Sequence, residues 1–406
     1  MLFVFKYFNF FNENIVALAN FLHWNYSVAA VSIILPLGLS FHVFQSLSYV
    51  IEVYRGKFKA ENNFFTYALY VMFFPQLVAG PIERPGHLLP QLNMTHNFNA
   101  TNVRRGLERM LWGFFKKLVI ADQIAIIVNH LYTNLPYDGP TLLLLMFLFT
   151  YQLYCDFSGY SDIAIGSAMV LGFNLVENFN RPFASQSIAE YWRRWHISLS
   201  SWLRDYLYYP MVLGFGKVSK IRLYLSLFIT FTLIGLWHGA NWTFVIMGAM
   251  HGFYLVFASL TENVRQKFAT VIGLTKFPKI RRLIKILIVF FLVSLGNIFF
   301  RAENVGQAWQ IISHLGDNFL DIFNVDFLRY QIFTEATLGV WKSAVVVIVL
   351  AIVFMEVIQF IQKYKKNIYI FEEKTKAVRY GWYYVLTLTI LFFGYFGAQP
   401  FVYFKF

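Results

Sequence analysis

Stretches of about 20 mostly apolar residues, bounded by charge or by Gly, Pro and Asn, recur along the whole chain, which is the pattern of membrane-crossing helices. They run near 26–52, 64–82, 106–131, 139–173, 222–237, 241–261, 283–300, 341–363 and 381–404. The 139–173 run is too long for one straight span, and 222–237 is followed by 241–261 with almost no loop, so both predict broken or re-entrant helices. Irregular backbone survives at membrane depth only where protein buries it or where it lines a cavity, and these two regions are therefore marked for function. The pattern predicts an all-α, polytopic membrane protein of about 8–11 transmembrane or re-entrant helices in one membrane domain over 1–406. No inverted or direct repeat accompanies it, which counts against a secondary transporter.

Residues 185–210 break the pattern by mixing Arg193, Arg194, Arg204 and Asp205 with Trp192, Trp195 and Trp202. Trp195, Leu199, Trp202 and Tyr206 fall at spacings of one helix face, predicting an interfacial amphipathic helix with its rings at headgroup depth. Ser187 followed by Glu190 is a capping-box start, and Glu190 can pair with Arg194 at i, i+4.

Composition sharpens this reading. Of 406 residues, 58% are hydrophobic, 20% aromatic and only 14% charged. Soluble domains carry roughly 25% charged residues, so a chain this poor in charge faces lipid. Its hydrophobicity excludes disorder, and the single Cys155 excludes a disulfide scaffold. The net charge of +13 comes from basic residues clustered between apolar runs, at 104–117, 193–204, 217–222, 265–285 and 363–379. That is the positive-inside signal of a multi-pass protein, with these linkers mostly cytoplasmic, and no nucleic-acid partner is needed to explain it. Residues 1–11 are aromatic, hold only Lys6 and lack a small-residue cleavage pattern, so no cleavable signal peptide is expected.

The motifs of soluble enzymes are absent. There is no Walker loop, no H-E-x-x-H, no cysteine pair for a metal and no complete nucleophile elbow, so no metal or bound cofactor is expected. What stands out is polarity in an apolar setting. His238 lies in the flexible stretch Gly235 to Trp242, between two apolar runs. An ionisable residue at membrane depth is a functional hypothesis by default, and histidine suits a general base acting on a hydroxyl; the alternative is a buried histidine bonded between helices. His196 follows Arg193 and Arg194, whose planar forks suit phosphates, so this group reads either as an anionic-donor site or as a headgroup anchor. His251 sits beside Gly248 and Gly252, a small-xxx-small contact, and packing is the favoured account there. Asp156 and Asp162 interrupt the 139–173 run. They could orient a histidine, pair with an arginine or pin two helices together, the structural role being favoured. Pro81, Glu83 and Arg84 form a helix exit that reads as a membrane turn or as the lining of a polar cavity.

Several of these stretches resemble the membrane-bound O-acyltransferase family, in its branch of alginate O-acetyltransferase membrane subunits. They are Gly80 to Arg84 (GPIER), Asp156 to Asp162 (DFSGYSD), Asn178 to Phe183 (NFNRPF), Tyr191 to Ser200 (YWRRWHISLS), Gly235 to Asn241 (GLWHGAN) and Phe401 to Phe406 (FVYFKF). The resemblance implies a helical bundle around a central tunnel in the bacterial inner membrane, with funnels from both sides meeting near His238. It implies acyl-CoA, specifically acetyl-CoA, as donor, and an extracytoplasmic polysaccharide as acceptor reached with a separate partner protein. By this resemblance His238 is the essential histidine and His196 the second critical position. His196 or Asn241 is then a candidate oxyanion donor, and Asp156 and Asp162 candidate orienting groups. Arg193, Arg194 and Trp195 are donor-binding candidates, and Pro81, Glu83, Arg84 and Trp237 line the tunnel. Two other readings stay open: D-alanyl-type transfer from a carrier protein, and a proton-coupled transporter or flippase. Members of this branch carry further hydrophobic helices ahead of the segment Phe5 to Phe10, so the start is expected to be truncated or reduced, with the chemistry downstream of it.

Overall fold

The computed structural model describes residues 3–31, 38–136, 138–214, 216–365 and 368–402. Among them there are helices and turns and no strand. The first half holds α1 (Phe8–Phe21), α2 (Leu39–Tyr54), α3 (Phe64–Val71), α4 (Pro85–Leu92), α5 (Ala100–Phe114), α6 (Asp122–Thr133) and α7 (Gly139–Val170). Short helices α8 (Ile188–Trp192), α9 (Ile197–Leu203) and α10 (Tyr209–Leu213) lead to the hairpin α11 (Lys220–His238) and α12 (Trp242–Leu260). Then follow α13 (Glu262–Val271), α14 (Pro278–Arg301), α15 (Val305–His314), the turns α16 (Val325–Phe327) and α17 (Glu335–Leu338), and finally α18 (Lys342–Lys365) and α19 (Lys376–Phe393). Five of these, α7, α11, α12, α14 and α18, are long and apolar enough to cross a membrane. The protein is an all-α polytopic membrane protein.

Three expectations are corrected. The 139–173 run is not broken: α7 is one helix of 32 residues, about 48 Å long at 1.5 Å per residue, against a hydrocarbon core of about 30 Å. It stays regular because neighbouring side chains, not backbone breaks, satisfy its polar residues. Among the described residues the two N-terminal runs hold helices shorter than a span, over 39–54 and 64–71; residues 32–37 of the first run lie outside the described residues. Residues 185–210 do not form one interfacial helix either. Ser187 caps α8 through the Glu190 N–H, and Glu190 pairs with Arg194 at 2.6 Å, as the sequence indicates. α8 ends at Trp192, a turn over 193–196 follows, and α9 starts after His196, whose backbone is left-handed (φ 44°). Trp195, Leu199 and Trp202 are buried in the protein core, not laid at the headgroups, because this segment folds back between α7 and α11.

α5, a π-turn over Phe115–Ala121, and α6 form one continuous helical rod packed antiparallel on α7. Glycines set the approach: a Cβ on Gly106 would stand 2.5 Å from the Gly166 carbonyl oxygen, and one on Gly113 would stand 2.7 Å from that of Gly159. Backbones this close bring charged side chains into register. Arg109 pairs with Asp162 at 3.0 Å and with Glu177 at 2.5 Å. Lys116 pairs with Asp162 at 2.6 Å, and Lys117 with Asp156 at 2.6 Å and Asp122 at 2.8 Å. In a regular helix, adjacent residues diverge by about 100°. The wider π-turn lets Lys116 and Lys117 both reach the facing acids. The basic stretch expected as a linker over 104–117 is thus partly interior, with Arg109, Lys116 and Lys117 all buried. The acids of α7 take the pairing and pinning roles. The segment ahead of residue 403 seats on the same lattice, the Val402 N–H donating to Asp156 Oδ2 at 2.7 Å. The rest of the Phe401 to Phe406 motif, residues 403–406, lies outside the described residues.

Basic residues collect at one end of the bundle. Arg104 and Arg105 meet Glu372 there, and Lys363 shares an electrostatic neighbourhood with Arg181, Arg194 and Arg282. At the opposite end Arg301 donates to Asn129, and Asn241 to the Glu303 carbonyl.

Removing one partner of a buried pair costs about 3–5 kcal/mol. Lys117→Met is expected to lose stability in that range, and adding Asp156→Asn should recover part of it. Unfolding of the purified protein by heat or SDS measures both; a Lys117→Met protein as stable as wild type contradicts this account of the lattice.

Candidate active site

The hairpin α11–α12 is closed by glycine. Gly235 and Gly248 face each other so closely that a Cβ on Gly235 would stand 2.9 Å from the Gly248 Cα, and Gly252 lies against Phe228, as the small-xxx-small spacing predicts. α11 ends at His238, and Asn241 begins α12 by accepting the Thr243 N–H at 2.9 Å. Asn241 Nδ2 donates to the Glu303 carbonyl, so this side chain serves as helix cap and clasp. Gly239 is needed for space: a Cβ there would stand 2.2 Å from the Phe244 ring. The buried His238 ring lies between Trp237 (4.8 Å between ring centroids) and Phe300 of α14 (5.2 Å). A lysine from the far end of the chain closes this helix terminus. Lys6, in the turn Phe3–Tyr7, donates from Nζ to the carbonyl oxygens of Trp237 at 2.7 Å and His238 at 3.0 Å. A cation at a helix C-terminus meets the negative end of its dipole.

His196 reaches the same place from the other side. Its ring is fully buried among Phe41, Phe157 and Trp237, the last at 6.2 Å. Trp237 therefore stands between the two histidines, in ring contact with each, and its indole N–H has no partner among the described residues. Burial pushes His196 down to about 3, so it is neutral near pH 7. Its Nδ1 lies 3.1 Å from Asn178 Oδ1, an oxygen that also accepts from the Ser198 hydroxyl (2.9 Å) and main-chain N–H (3.3 Å). His251 is held apart from this group, accepting from the Trp192 indole at 3.3 Å, which fits its packing role.

Two cavities approach the histidines from opposite ends. One of about 400 Å³ opens near the basic end and is lined by Arg181, Lys363, Gln359, Gln362, Asn180 and Asn178, among others, and so reaches the residue that holds His196. The other, of about 260 Å³, lies at the opposite end against Asn241, Phe244, Arg301 and Val402, beside the His238 hairpin.

The remaining candidates are placed as follows. Arg194 is engaged with Glu190 and faces the Arg181 carbonyl, Arg193 is exposed, and Trp195 packs in the core against Tyr191 and Phe179. None of these three lines the larger cavity; Arg181 and Lys363 do. Pro81 and Glu83 are buried, and the Glu83 carboxylate takes the Val176 N–H at 2.7 Å and meets His87 at 2.6 Å. Arg84 pairs with Asp205 at 3.2 Å and covers the Tyr206 ring. These residues tie the 80s turn to neighbouring loops, and they line neither of the two cavities. Asp156 and Asp162 belong to the ion-pair lattice, with Asp162 on the cavity wall. Lys6 and Asn178 are missing from the sequence-based candidates, since their partners lie 231 and 18 residues away and no local spacing signals them.

Comparison with known proteins bears on this geometry. The sequence pattern of the membrane-bound O-acyltransferase family matches residues 59–300, which include His196 and His238. The chain is 44% identical over 281 residues to the probable alginate O-acetylase AlgI of Pseudomonas aeruginosa, covering 69% of this chain and 51% of that protein. It is 35% identical over 341 residues to the peptidoglycan O-acetyltransferase of Helicobacter pylori, covering 76% and 61%. It is also 29% identical over 243 residues to the teichoic acid D-alanyltransferase of Bacillus subtilis, covering 57% and 61%. The chain thus spans about half to three fifths of the length of these relatives.

Burial lowers Lys6 from its ordinary 10.5 to about 8. A depressed folded-state value means that the group's contribution to stability is complete above pH 10.5 and lost as pH falls to about 8, a change of about 3 kcal/mol. Unfolding measured across this range should therefore show wild type gaining on Lys6→Met by about that amount as pH rises. Parallel curves contradict the buried Lys6 cap.

Proposed function

This chain belongs to the membrane-bound O-acyltransferase family, and we propose that it transfers an acetyl group from acetyl-CoA at the basic end to a hydroxyl of an extracytoplasmic polysaccharide at the other. The observation that carries the reading is His238, set at the end of α11 beside His196 and Trp237, between two cavities that open toward opposite ends. A CoA thioester is too large and anionic to cross a bilayer, and a polysaccharide cannot enter one, so a protein-lined path for the acyl group alone meets both constraints.

In the proposed reaction His238 takes the proton from the acceptor hydroxyl as its oxygen attacks the thioester carbonyl. The tetrahedral oxyanion collapses, the carbon–sulfur bond breaks, and the proton passes to the departing thiolate. The larger cavity supports a phosphopantetheine-type donor: amide side chains of Asn180, Gln359 and Gln362 suit the amides of the arm, and Arg181 and Lys363 suit its phosphates. Arg194, close to this cluster, is a further phosphate candidate. A carrier-borne D-alanyl donor would share the same arm; the greater identity to the relatives named as O-acetylase and O-acetyltransferase favours an acetyl group. The positive-inside rule puts the basic end in the cytoplasm, and the bacterial inner membrane and a separate extracytoplasmic partner belong to this reading.

The test is turnover of radiolabelled acetyl-CoA by purified protein, wild type against His238→Ala. Loss of a positioned general base costs about 10²–10⁴ in rate. A drop of that size in a protein that still folds supports the reading. Undiminished turnover in His238→Ala, or a wild type active only with a carrier-bound acyl group, overturns it.

A further inference from the structure

The bonds around Asn178 decide which nitrogen of His196 carries the proton. An Asn side chain can be placed either way round on shape alone, but here a main-chain group settles it: the Ser198 N–H can only donate, so the atom it meets at 3.3 Å is the oxygen Oδ1. The Ser198 hydroxyl donates to the same oxygen at 2.9 Å, and the amide nitrogen on the other side donates to Ser161 Oγ at 3.3 Å. An amide carbonyl oxygen cannot donate, so His196 Nδ1, 3.1 Å away, bears the hydrogen. In a neutral imidazole with Nδ1–H, the lone pair is on Nε2.

The backbone enforces the same arrangement. Ile197 N–H donates to the Asn178 carbonyl at 3.0 Å and Asn180 N–H to that of Arg194 at 2.9 Å, so the two segments clasp each other on both sides of the side-chain bond. His196 is held in the left-handed region, an uncommon conformation outside glycine that persists only where its surroundings impose it. Asn178 and Ser161 both lie on the wall of the larger cavity.

We propose that Asn178 is a positioning residue that locks His196 in its Nδ1–H tautomer, so that His196 takes up a proton at Nε2 during transfer and does not serve as the oxyanion donor. This rests on the acyl-transfer reading and assigns the second histidine a role within it. The balance closes: the proton leaves the acceptor hydroxyl for His238 as its oxygen bonds to the thioester carbon, is held at His196 Nε2 while the tetrahedral oxyanion collapses, and leaves on the thiolate as the carbon–sulfur bond breaks. His238 of α11, across the Trp237 ring, is electrostatically coupled to His196. Phe41 of α2, Phe157 of α7 and Trp237 of α11 present only rings, and Lys116 and Asp162 are paired with each other.

Two measurements test this. The first is ¹⁵N NMR of histidine-labelled wild type in nanodiscs, with His196 assigned by its loss in His196→Gln. A pyrrole-type Nδ1 and pyridine-type Nε2 are expected; the reverse overturns the proposal whether or not the protein turns over any thioester. The second is the pH–rate profile of Asn178→Ala and Asn178→Asp. Asn178→Ala should lose about 10²–10⁴ in kcat with little change in KM. Asn178→Asp keeps an acceptor and adds a charge that favours the imidazolium, so it should hold kcat within about tenfold while the acidic limb of the profile moves to higher pH. An unchanged profile in Asn178→Asp, or wild-type kcat in Asn178→Ala, means that Asn178 only braces the loop. An inactive wild type with the expected ¹⁵N pattern would defeat the functional reading and leave the tautomer assignment standing.

Discussion

Everything in this fold is arranged around ion pairs buried between α5, its π-turn and α7. Three cations, Arg109, Lys116 and Lys117, face Asp122, Asp156 and Asp162 from within a protein whose surroundings are lipid. A lone charge there costs several kcal/mol, so each side chain requires its partner and the two rods cannot slide. Glycine pairs at 106/166 and 113/159 permit the close approach, and charge fixes the register. α7 in turn offers Ser161 to Asn178 and Phe157 to His196, which passes that register on to the loop holding the second histidine.

The histidines are thus held from independent directions. His238 depends on the glycine-closed hairpin and on Lys6 at its carbonyl end, while His196 depends on a loop clasped to residues 178–180. Trp237 stands between them. The proposed transfer across a membrane would need such rigidity, because a donor from one side and an acceptor from the other would have to meet the same base without opening a continuous aqueous path. A packed aromatic septum with cavities on both sides is a physical solution to that requirement.

Much of this was legible in the sequence where the signal is local. The apolar runs specify the membrane class, Gly248 and Gly252 specify the α11–α12 contact, and Ser187, Glu190 and Arg194 form the predicted cap and pair; the abrupt join at 239–241 is read as a broken or re-entrant helix, whereas it turns two full helices into a hairpin. What escaped depends on distant partners. Arg109, Lys116 and Lys117 resemble a cytoplasmic linker until acids some 40 to 70 residues later are brought opposite them. The aromatic face of 185–210 has the spacing of an interfacial helix, but a left-handed residue at 196 turns it inward. α7 looks breakable because the 139–173 run is longer than one straight span, and the cations that hold its acids in a regular helix lie outside the run. Lys6 carries no local mark of its role at the end of α11.

The claim on which the rest turns is that donor and acceptor meet from opposite faces. The most direct measurement uses proteoliposomes of defined orientation, with alginate oligosaccharides sealed inside and labelled acetyl-CoA added outside. The account predicts label on the enclosed saccharide only in vesicles whose basic end faces outward. Label that appears only when donor and saccharide share a compartment would contradict it.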